Sequence, residues 1–210
     1  MNTKEVILQV VKELFYHQGY NKTTIRQIQK EAKNLNIHYH YKNKKHLALA
    51  IYAQYIEKMQ NEVLKNDALR KDAFLMNFVM YIIVYDHLIQ DKNNRLYYLE
   101  TLNECIEGYM QIIFDLQLGS MIAITDHYIK DQPSIDLLKY YSIIMFSCEK
   151  GIFASTFNGI LKFAVDEIIE MHIKLVPQLF GVDEKTIEEG FKKGKEIADK
   201  MDLSHIRLLV

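Results

Sequence analysis

The sequence predicts an all-α protein, and three observations support that fold class. Only two prolines and eight glycines occur in the 210 residues, so few positions interrupt a helix. Apolar residues recur at spacings of three and four along almost the whole chain, which is the period of a helix with one buried face. The length also suffices for one large domain, or for a small domain joined to a larger one, with a sizeable buried core.

The charged residues are divided unevenly along the chain. Residues 1–60 contain ten Lys and Arg against four acids, a formal charge of +6, whereas residues 61–210 contain 16 against 23, a formal charge of −7. This asymmetry indicates that only the N-terminal part meets a polyanion. A chance asymmetry of a solvated surface is the alternative.

The N-terminal segment contains the signals of several short helices in succession. An apolar stripe predicts a first helix that ends at Gly19, a residue suited to a left-handed C-cap. Thr23 or Thr24 caps the next helix, and Gln27 stands at the reciprocal position of a capping box with Thr24. After a very short helix, Asn43 caps the fourth.

Polar residues alternate with apolar ones between positions 34 and 41, and lysines follow immediately. A helix-turn-helix places one helix across the phosphate backbone and exposes the next one to the base edges. Hydroxyl groups, helix N-termini and Lys or Arg bind phosphate, whereas side chains such as Asn read bases. The candidate DNA-binding residues are Thr23, Thr24, Arg26, Asn34, Asn36, His38, Tyr39, His40, Lys42 and Lys44.

The remaining chain is predicted to form a larger helical domain. Residues 1–47 are assigned to the helix-turn-helix domain and residues 48–210 to this second domain, with the boundary inside the fourth helix. The stretch 74–89 is apolar nearly all round, so we expect it to be a central helix. Further helices are predicted over 94–118, 133–158, 162–180 and 183–201.

One set of residues between 14 and 47 has the spacing of a known family: Leu14-Phe15, Gly19-Tyr20, Thr23-Thr24-Ile25-Arg26, Ile28, Glu31-Ala32, Ile37-His38-Tyr39-His40-Tyr41, Asn43-Lys44 and Leu47. This set resembles the N-terminal domain of the TetR family of bacterial one-component regulators. The chain departs from the family pattern by a two-residue shortening of the turn and recognition-helix region. Lys33 also stands where the family has a turn glycine, and His38 replaces the usual tyrosine of the recognition helix.

The resemblance implies roles for several residues and for the protein as a whole. Thr24, Arg26, His40 and Lys44 would contact phosphate, and His38 would lie near the groove. A TetR-like protein would also be a homodimer, bind double-stranded operator DNA, and respond to a small-molecule effector held in the larger domain.

Two sets of residues in the larger domain are candidates for these functions. Tyrosines, methionines and phenylalanines predict a pocket for an apolar or aromatic effector, namely Met80, Tyr81, Tyr85, Tyr98, Tyr109, Met110, Phe114, Met145 and Phe153. Small residues at every fourth position and a following apolar helix face predict the dimer interface, namely Ser147, Gly151, Ser155, Ile169, His172, Ile173 and Val176. Both patterns also suit an ordinary core, and Glu149 suits either a cationic ligand or a solvated helix face.

Other classes of protein find little support in the sequence. It lacks the Glu-x-x-His pairs of a di-iron bundle and the common catalytic and nucleotide-binding motifs, so no enzyme activity, metal or cofactor is expected. Cys105 and Cys148 fit a reduced pair in the cytoplasm, and the uncharged apolar run 74–85 is too short to cross a bilayer. The sequence therefore predicts a cytoplasmic TetR-like repressor. The alternatives are a coregulator of the same fold with impaired DNA binding, and a helical enzyme or carrier.

Overall fold

The structure, a computed structural model, describes residues 3–33, 35–128 and 134–210, without the side chains at 117–121, 123–128 and 176. Ten α-helices and no strand occur in these ranges, so the predicted all-α class is confirmed. The helices are α1 Thr3–Gln18, α2 Ile25–Glu31, α3 Ile37–His40, α4 Lys44–Val63, α5 Asp67–Lys71, α6 Ala73–Ile89, α7 Lys92–Tyr128, α8 Ile135–Phe157, α9 Val165–Leu179 and α10 Glu184–Ala198.

The first three helices and the start of α4 enclose a small apolar core, and we call residues 3–47 the head. Phe15, Ile28, Ile37 and Leu47 are fully buried, so each of these four helices contributes at least one large apolar residue to the same core. Gly19 ends α1 with a φ of +83°, as predicted, because only glycine adopts this left-handed conformation at little cost.

Helix α6 is the central helix of the remaining chain, which we call the body. It packs against α4, α5, α7, α9 and α10, and this agrees with its apolar sequence. Helix α10 approaches it closely through two glycines. A Cβ atom at Gly190 would lie 2.8 Å from the Phe78 ring, and one at Gly194 would lie 2.9 Å from Phe78 Cβ.

Several helix ends differ from the predicted ones for local reasons. Helix α7 begins two residues early because Asp91 Oδ1 accepts hydrogen bonds from the backbone N–H groups of Asn93 and Asn94. Helix α9 begins at Val165 because Glu167 accepts a hydrogen bond from the Ala164 N–H, 2.9 Å away. The predicted start at position 133 lies outside the described residues, and the short helix α5 was not predicted.

Candidate nucleic-acid interface and effector site

The N-terminus of α2 has the predicted capping box. The Gln27 N–H donates to Thr24 Oγ1 at 3.2 Å, and the Thr24 N–H donates to Gln27 Oε1 at 2.8 Å. Thr24 and Arg26 are both exposed. A hydroxyl and a guanidinium group at an exposed helix N-terminus suit a phosphate.

Thr23 requires a correction, because its side chain is buried and only 1% of its surface is exposed. Its hydroxyl donates to the Gly19 carbonyl at 2.7 Å and accepts from Gln18 Nε2 at 3.2 Å. Thr23 therefore stabilises the turn before α2 and does not reach DNA through its side chain.

Helix α3 is a single turn that presents polar residues to solvent. Asn36 caps it by accepting the Tyr39 N–H at 3.2 Å, and Ile37 anchors it in the core with no exposed surface. His38 is exposed, 80% of Tyr39 is exposed, and His40 is half-buried. The predicted reader Asn34 lies outside the described residues.

The connection before α3 contains an unusual backbone conformation. Lys33 has a φ of +53°, in the left-handed region that costs free energy for any residue except glycine. The turn keeps this shape although the sequence has a lysine where the related pattern has glycine.

Two lysines follow α3, and they have different surroundings. Lys42 is exposed. The Lys44 ammonium donates to the carbonyls of Tyr20 and Thr23 at 2.9 and 3.1 Å, and it lies 4.1 Å from the centroid of the Tyr20 ring. An ammonium has three donors, so Lys44 holds the turn before α2 and keeps one donor for a phosphate.

The body contains a buried polar centre between α6, α7, α8 and α9. Only 1% of Glu149 and 2% of His172 is exposed. The Glu149 carboxylate accepts hydrogen bonds from the hydroxyls of Tyr85, at 2.8 Å, and Tyr98. We call these four side chains the Glu149 centre.

His172 is the fourth member of this centre. Its Nε2 lies 3.1 Å from the Tyr85 hydroxyl and 3.7 Å from Glu149 Oε2. Its Nδ1 atom is buried and has no hydrogen-bond partner in the described part of the chain. Buried polar atoms without a partner are uncommon in folded proteins.

Tyrosine side chains surround the carboxylate, and their hydroxyl groups remain protonated. Burial raises the pKa of Tyr52 and Tyr85 well above the usual value, and the nearby Glu149 carboxylate raises both further. Burial and Glu149 also raise the pKa of Tyr81. The phenol groups are therefore hydrogen-bond donors at every physiological pH, and their rings offer the faces that attract cations.

A small cavity lies beside the Glu149 centre. Its volume is about 10 Å³, which is about enough for one water molecule. Five of the predicted pocket residues line it: Met80, Tyr81, Tyr85, Tyr98 and Met145. The sequence reasoning missed Tyr52, and it treated Glu149 as solvated by default, although both line this cavity.

The other predicted pocket residues lie elsewhere in the body. Tyr109 is buried and donates its hydroxyl to Thr101 Oγ1 at 2.6 Å, and Phe153 stacks edge-on against Tyr85 behind the centre. Met110 and Phe114 are half-buried on α7, and the Lys139 ammonium lies 5.9 Å from the Phe114 ring centroid. These four residues do not line the cavity.

A larger groove of about 530 Å³ lies between α6, α9, α10 and the C-terminal segment. Its acidic residues are mostly exposed to solvent, and Asp166 already accepts a hydrogen bond from Gln90 at 2.9 Å. Water therefore solvates these carboxylates, whereas the Glu149 carboxylate is shielded from water.

The predicted dimer interface is partly wrong. Ile169, His172 and Ile173 are buried inside the protein, because the apolar face of α9 packs on α6 and α8. Ser147 and Gly151 are exposed and Ser155 is half-buried. The side chain of Val176 lies outside the description.

No single described helix combines the length and apolar character of a membrane span. Helix α6 and residues 92–116 of α7 meet that test only as a pair, with a bend of 103° between them.

Two comparisons found proteins that are similar to this chain. The chain is 28% identical over 196 residues to the HTH-type transcriptional regulator QacR of Staphylococcus aureus (strain Mu50 / ATCC 700699), which covers 84% of this chain and 93% of that protein. A solved structure of the TetR family protein CprB from S. coelicolor A3(2) covers 95% of this chain and 98% of its own, with 12% identity and a TM-score of 0.48. No family model matches the chain.

The chain is thus similar, over most of its length, to a helix-turn-helix transcriptional regulator.

Proposed function

We propose that the protein is a homodimeric repressor whose binding to operator DNA is released by an aromatic organic cation. The observation that carries the DNA-binding part is the exposed single turn α3, flanked by the exposed Arg26 and Lys42. An exposed cationic surface next to one protruding helix turn suits the phosphates and the major groove of a duplex.

The polar residues of the head divide into two roles. Thr24, Arg26, Lys42 and Lys44 bind phosphate through a hydroxyl or a positive charge. Base edges are left to residues around α3: Asn34, Asn36, His38, Tyr39 and His40.

A second copy of the chain covers the exposed apolar stripe of α8. Tyr140 is 57% exposed and Ile143 is 50% exposed, and Ser147 and Gly151 continue the same stripe at helical spacing. A Cβ atom at Gly151 would have no neighbour within 4 Å, so another helix has room to approach there. Two-fold pairing of this stripe presents two heads to two half-sites.

The Glu149 centre supplies the effector site. Its buried carboxylate suits a cationic effector and not a purely apolar one. A buried carboxylate without a Lys or Arg partner is costly, and His172 is its only ion-pair partner among the described residues. A ligand cation brings the missing charge, and the surrounding tyrosines add cation–π attraction. The ligand must move side chains, since the cavity is small, and Met80 and Met145 at its wall are adaptable residues.

The test begins with a duplex selected by the purified protein from a random-sequence library. Wild-type protein binds this duplex, and benzyltrimethylammonium weakens the binding. Neopentylbenzene, which has the same shape without the charge, leaves it unchanged. Glu149→Gln removes the response to the cation and preserves binding to the duplex.

Three outcomes contradict parts of this proposal. Absence of duplex binding by the protein alone contradicts operator binding and favours the coregulator. Equal effects of the two probes contradict the cationic effector. A monomer in sedimentation experiments contradicts the dimer.

A further inference from the structure

We propose that Glu100 and Glu104 on α7 are positioning residues that hold the head in one orientation and transmit changes at the Glu149 centre to it. Glu104 Oε2 accepts a hydrogen bond from the Tyr20 hydroxyl at 2.6 Å, and Glu100 Oε2 accepts one from the Asn21 N–H at 3.0 Å. We call these two contacts the acidic latch. The inference rests on the proposed function for its regulatory meaning.

The two carboxylates are placed to act together. Residues four positions apart lie on one face of a helix, so Glu100 and Glu104 both face the turn 19–23. A Cβ atom at position 19 would lie 2.9 Å from Glu100 Oε2, so Gly19 permits the close approach. The latch therefore holds the turn that directly precedes the Thr24 cap of α2.

The turn is held on two sides by hydrogen bonds. Only 1% of Tyr20 is exposed, and burial, followed by its hydrogen bond to Glu104, raises its pKa. The hydroxyl thus stays a donor. On the other side, Lys44 binds the carbonyls of Tyr20 and Thr23, so α4 and α7 hold the same turn from two directions.

The same short segment of α7 also reaches the effector site. Tyr98 donates its hydroxyl to Glu149. The adjacent Tyr97 donates to the Ala48 carbonyl at 3.1 Å and stacks on Phe15 with a centroid distance of 5.5 Å. Residues 97–104 therefore contact α1, the turn 19–23, α4 and the Glu149 centre.

This arrangement gives the coupling a physical path. A cation that binds the Glu149 carboxylate displaces the Tyr98 hydroxyl from it. Both latch residues lie on α7 shortly after Tyr98. A shift of that backbone moves the heads of the two protomers relative to each other. Because both half-sites must be engaged together, a small shift changes the affinity for the operator.

The experiment compares Tyr20→Phe, which keeps the ring and removes the donor, with Glu104→Ala and with the double variant. Glu107→Ala is the matched control, because Glu107 is exposed on the same helix, three residues further on. Spin labels at Lys30→Cys on α2 and Lys192→Cys on α10, in a Cys148→Ser background, report the orientation of the head. Labelled chains are diluted in unlabelled protein so that each distance lies within one chain.

We expect one narrow distance distribution for the wild type and for Glu107→Ala, and a broad one for the two latch variants. The double variant should be no broader than either single variant, since both remove the same hydrogen bond. Benzyltrimethylammonium should shift the wild-type distance, bind the latch variants with unchanged affinity in calorimetry, and leave their distributions unshifted. A wild-type distribution in both latch variants would overturn the inference.

Binding to DNA supplies a second and separate readout. The wild type should prefer its selected duplex to one with two extra base pairs between the half-sites. In the latch variants the ratio of the two affinities should be about fivefold smaller, which corresponds to the free energy of one hydrogen bond. An equal loss on both duplexes would show a merely structural role and would count against the latch. A wild type without DNA binding would instead refute the proposed function, while the distance measurements would still decide on the latch.

Discussion

In the head, Asn36 and Asn43 stand at exposed helix starts and accept the backbone N–H groups of Tyr39 and His46. In the body, Glu149 is almost completely buried, and its carboxylate accepts hydrogen bonds from side chains of two other helices. Polar groups of the first kind keep water or DNA as alternative partners. Those of the second kind have only each other, so their loss costs stability directly.

The difference assigns separate physical tasks to the two regions. Exposed polar and cationic groups in the head are available for binding, and most surface substitutions change the free energy of unfolding little. The Glu149 centre combines almost complete burial with hydrogen bonds from other helices, and it is the proposed effector site. Substitutions in the two regions should therefore separate stability from DNA affinity, and those at Glu149, Lys44 and Asn36 test this separation.

Glu149→Ala should have the largest effect on stability. It removes the carboxylate that accepts from the Tyr85 and Tyr98 hydroxyls, and it leaves the Tyr98 hydroxyl without this acceptor in a buried site. We expect the free energy of unfolding in urea to fall by about 3 kcal/mol. Glu149→Gln, which keeps an acceptor oxygen, should lose about 1 kcal/mol, and the exposed Lys42→Ala less than about 0.5 kcal/mol. Equal losses for Glu149→Ala and Lys42→Ala would remove the contrast.

Lys44→Met should affect both stability and DNA binding. It removes the ammonium from the carbonyls of Tyr20 and Thr23 and keeps a chain of similar length, so we expect a loss of about 2 kcal/mol in urea unfolding. Binding should weaken on all duplexes, and the slope of log affinity against log salt should fall by about one. Lys42→Met should reproduce the second effect alone. An unchanged salt slope for Lys44→Met would limit Lys44 to its structural role.

Asn36 tests whether the cap of α3 also reads a base. Asn36→Ala should cost about 1 kcal/mol through loss of the cap and should weaken binding to the selected duplex more than to random DNA. Asn36→Asp keeps an acceptor for the Tyr39 N–H, so it should retain stability and lose DNA affinity through its negative charge. If Asn36→Ala weakens binding to both duplexes equally, Asn36 is not a base reader.

Sequence reasoning succeeded where the determining contacts are local. The Thr24 and Gln27 capping box and the Asn43 cap each join residues three positions apart, and the left-handed Gly19 follows from its own chemistry. Thr23 was misassigned because a threonine before a helix looks alike in sequence whether its hydroxyl faces solvent or, as here, the Gly19 carbonyl.

The Glu149 centre could not be predicted in the same way. Its hydrogen bonds span 64 positions to Tyr85 and 51 to Tyr98, and His172 lies 87 positions from Tyr85. Periodicity shows that one face of α9 is apolar, but it does not show which neighbour covers that face. For this reason His172 was assigned to a dimer interface and not to the core of one chain.

Substitution of His87 should have the smallest effect, and it tests how the stability of the body depends on pH. Burial lowers its pKa from the ordinary value of about 6.5, as does the positive charge of Arg207, while the neighbouring Asp86 acts in the opposite direction. The tilted ring of Tyr55 lies 6.1 Å away. Below the ordinary value the unfolded chain binds more protons at this site than the folded one, so acid favours unfolding.

The stability contributed by neutral His87 is therefore complete above about pH 6.5 and is lost as the pH falls through the lowered pKa of the folded state. Urea midpoints at about pH 7.5 and about pH 5.5 should differ less for His87→Gln than for the wild type. If the two proteins show the same pH dependence, protonation of His87 does not contribute to the loss of stability in acid. Because His87 is only half-buried, water limits its effect, whereas Glu149 has no such access to solvent.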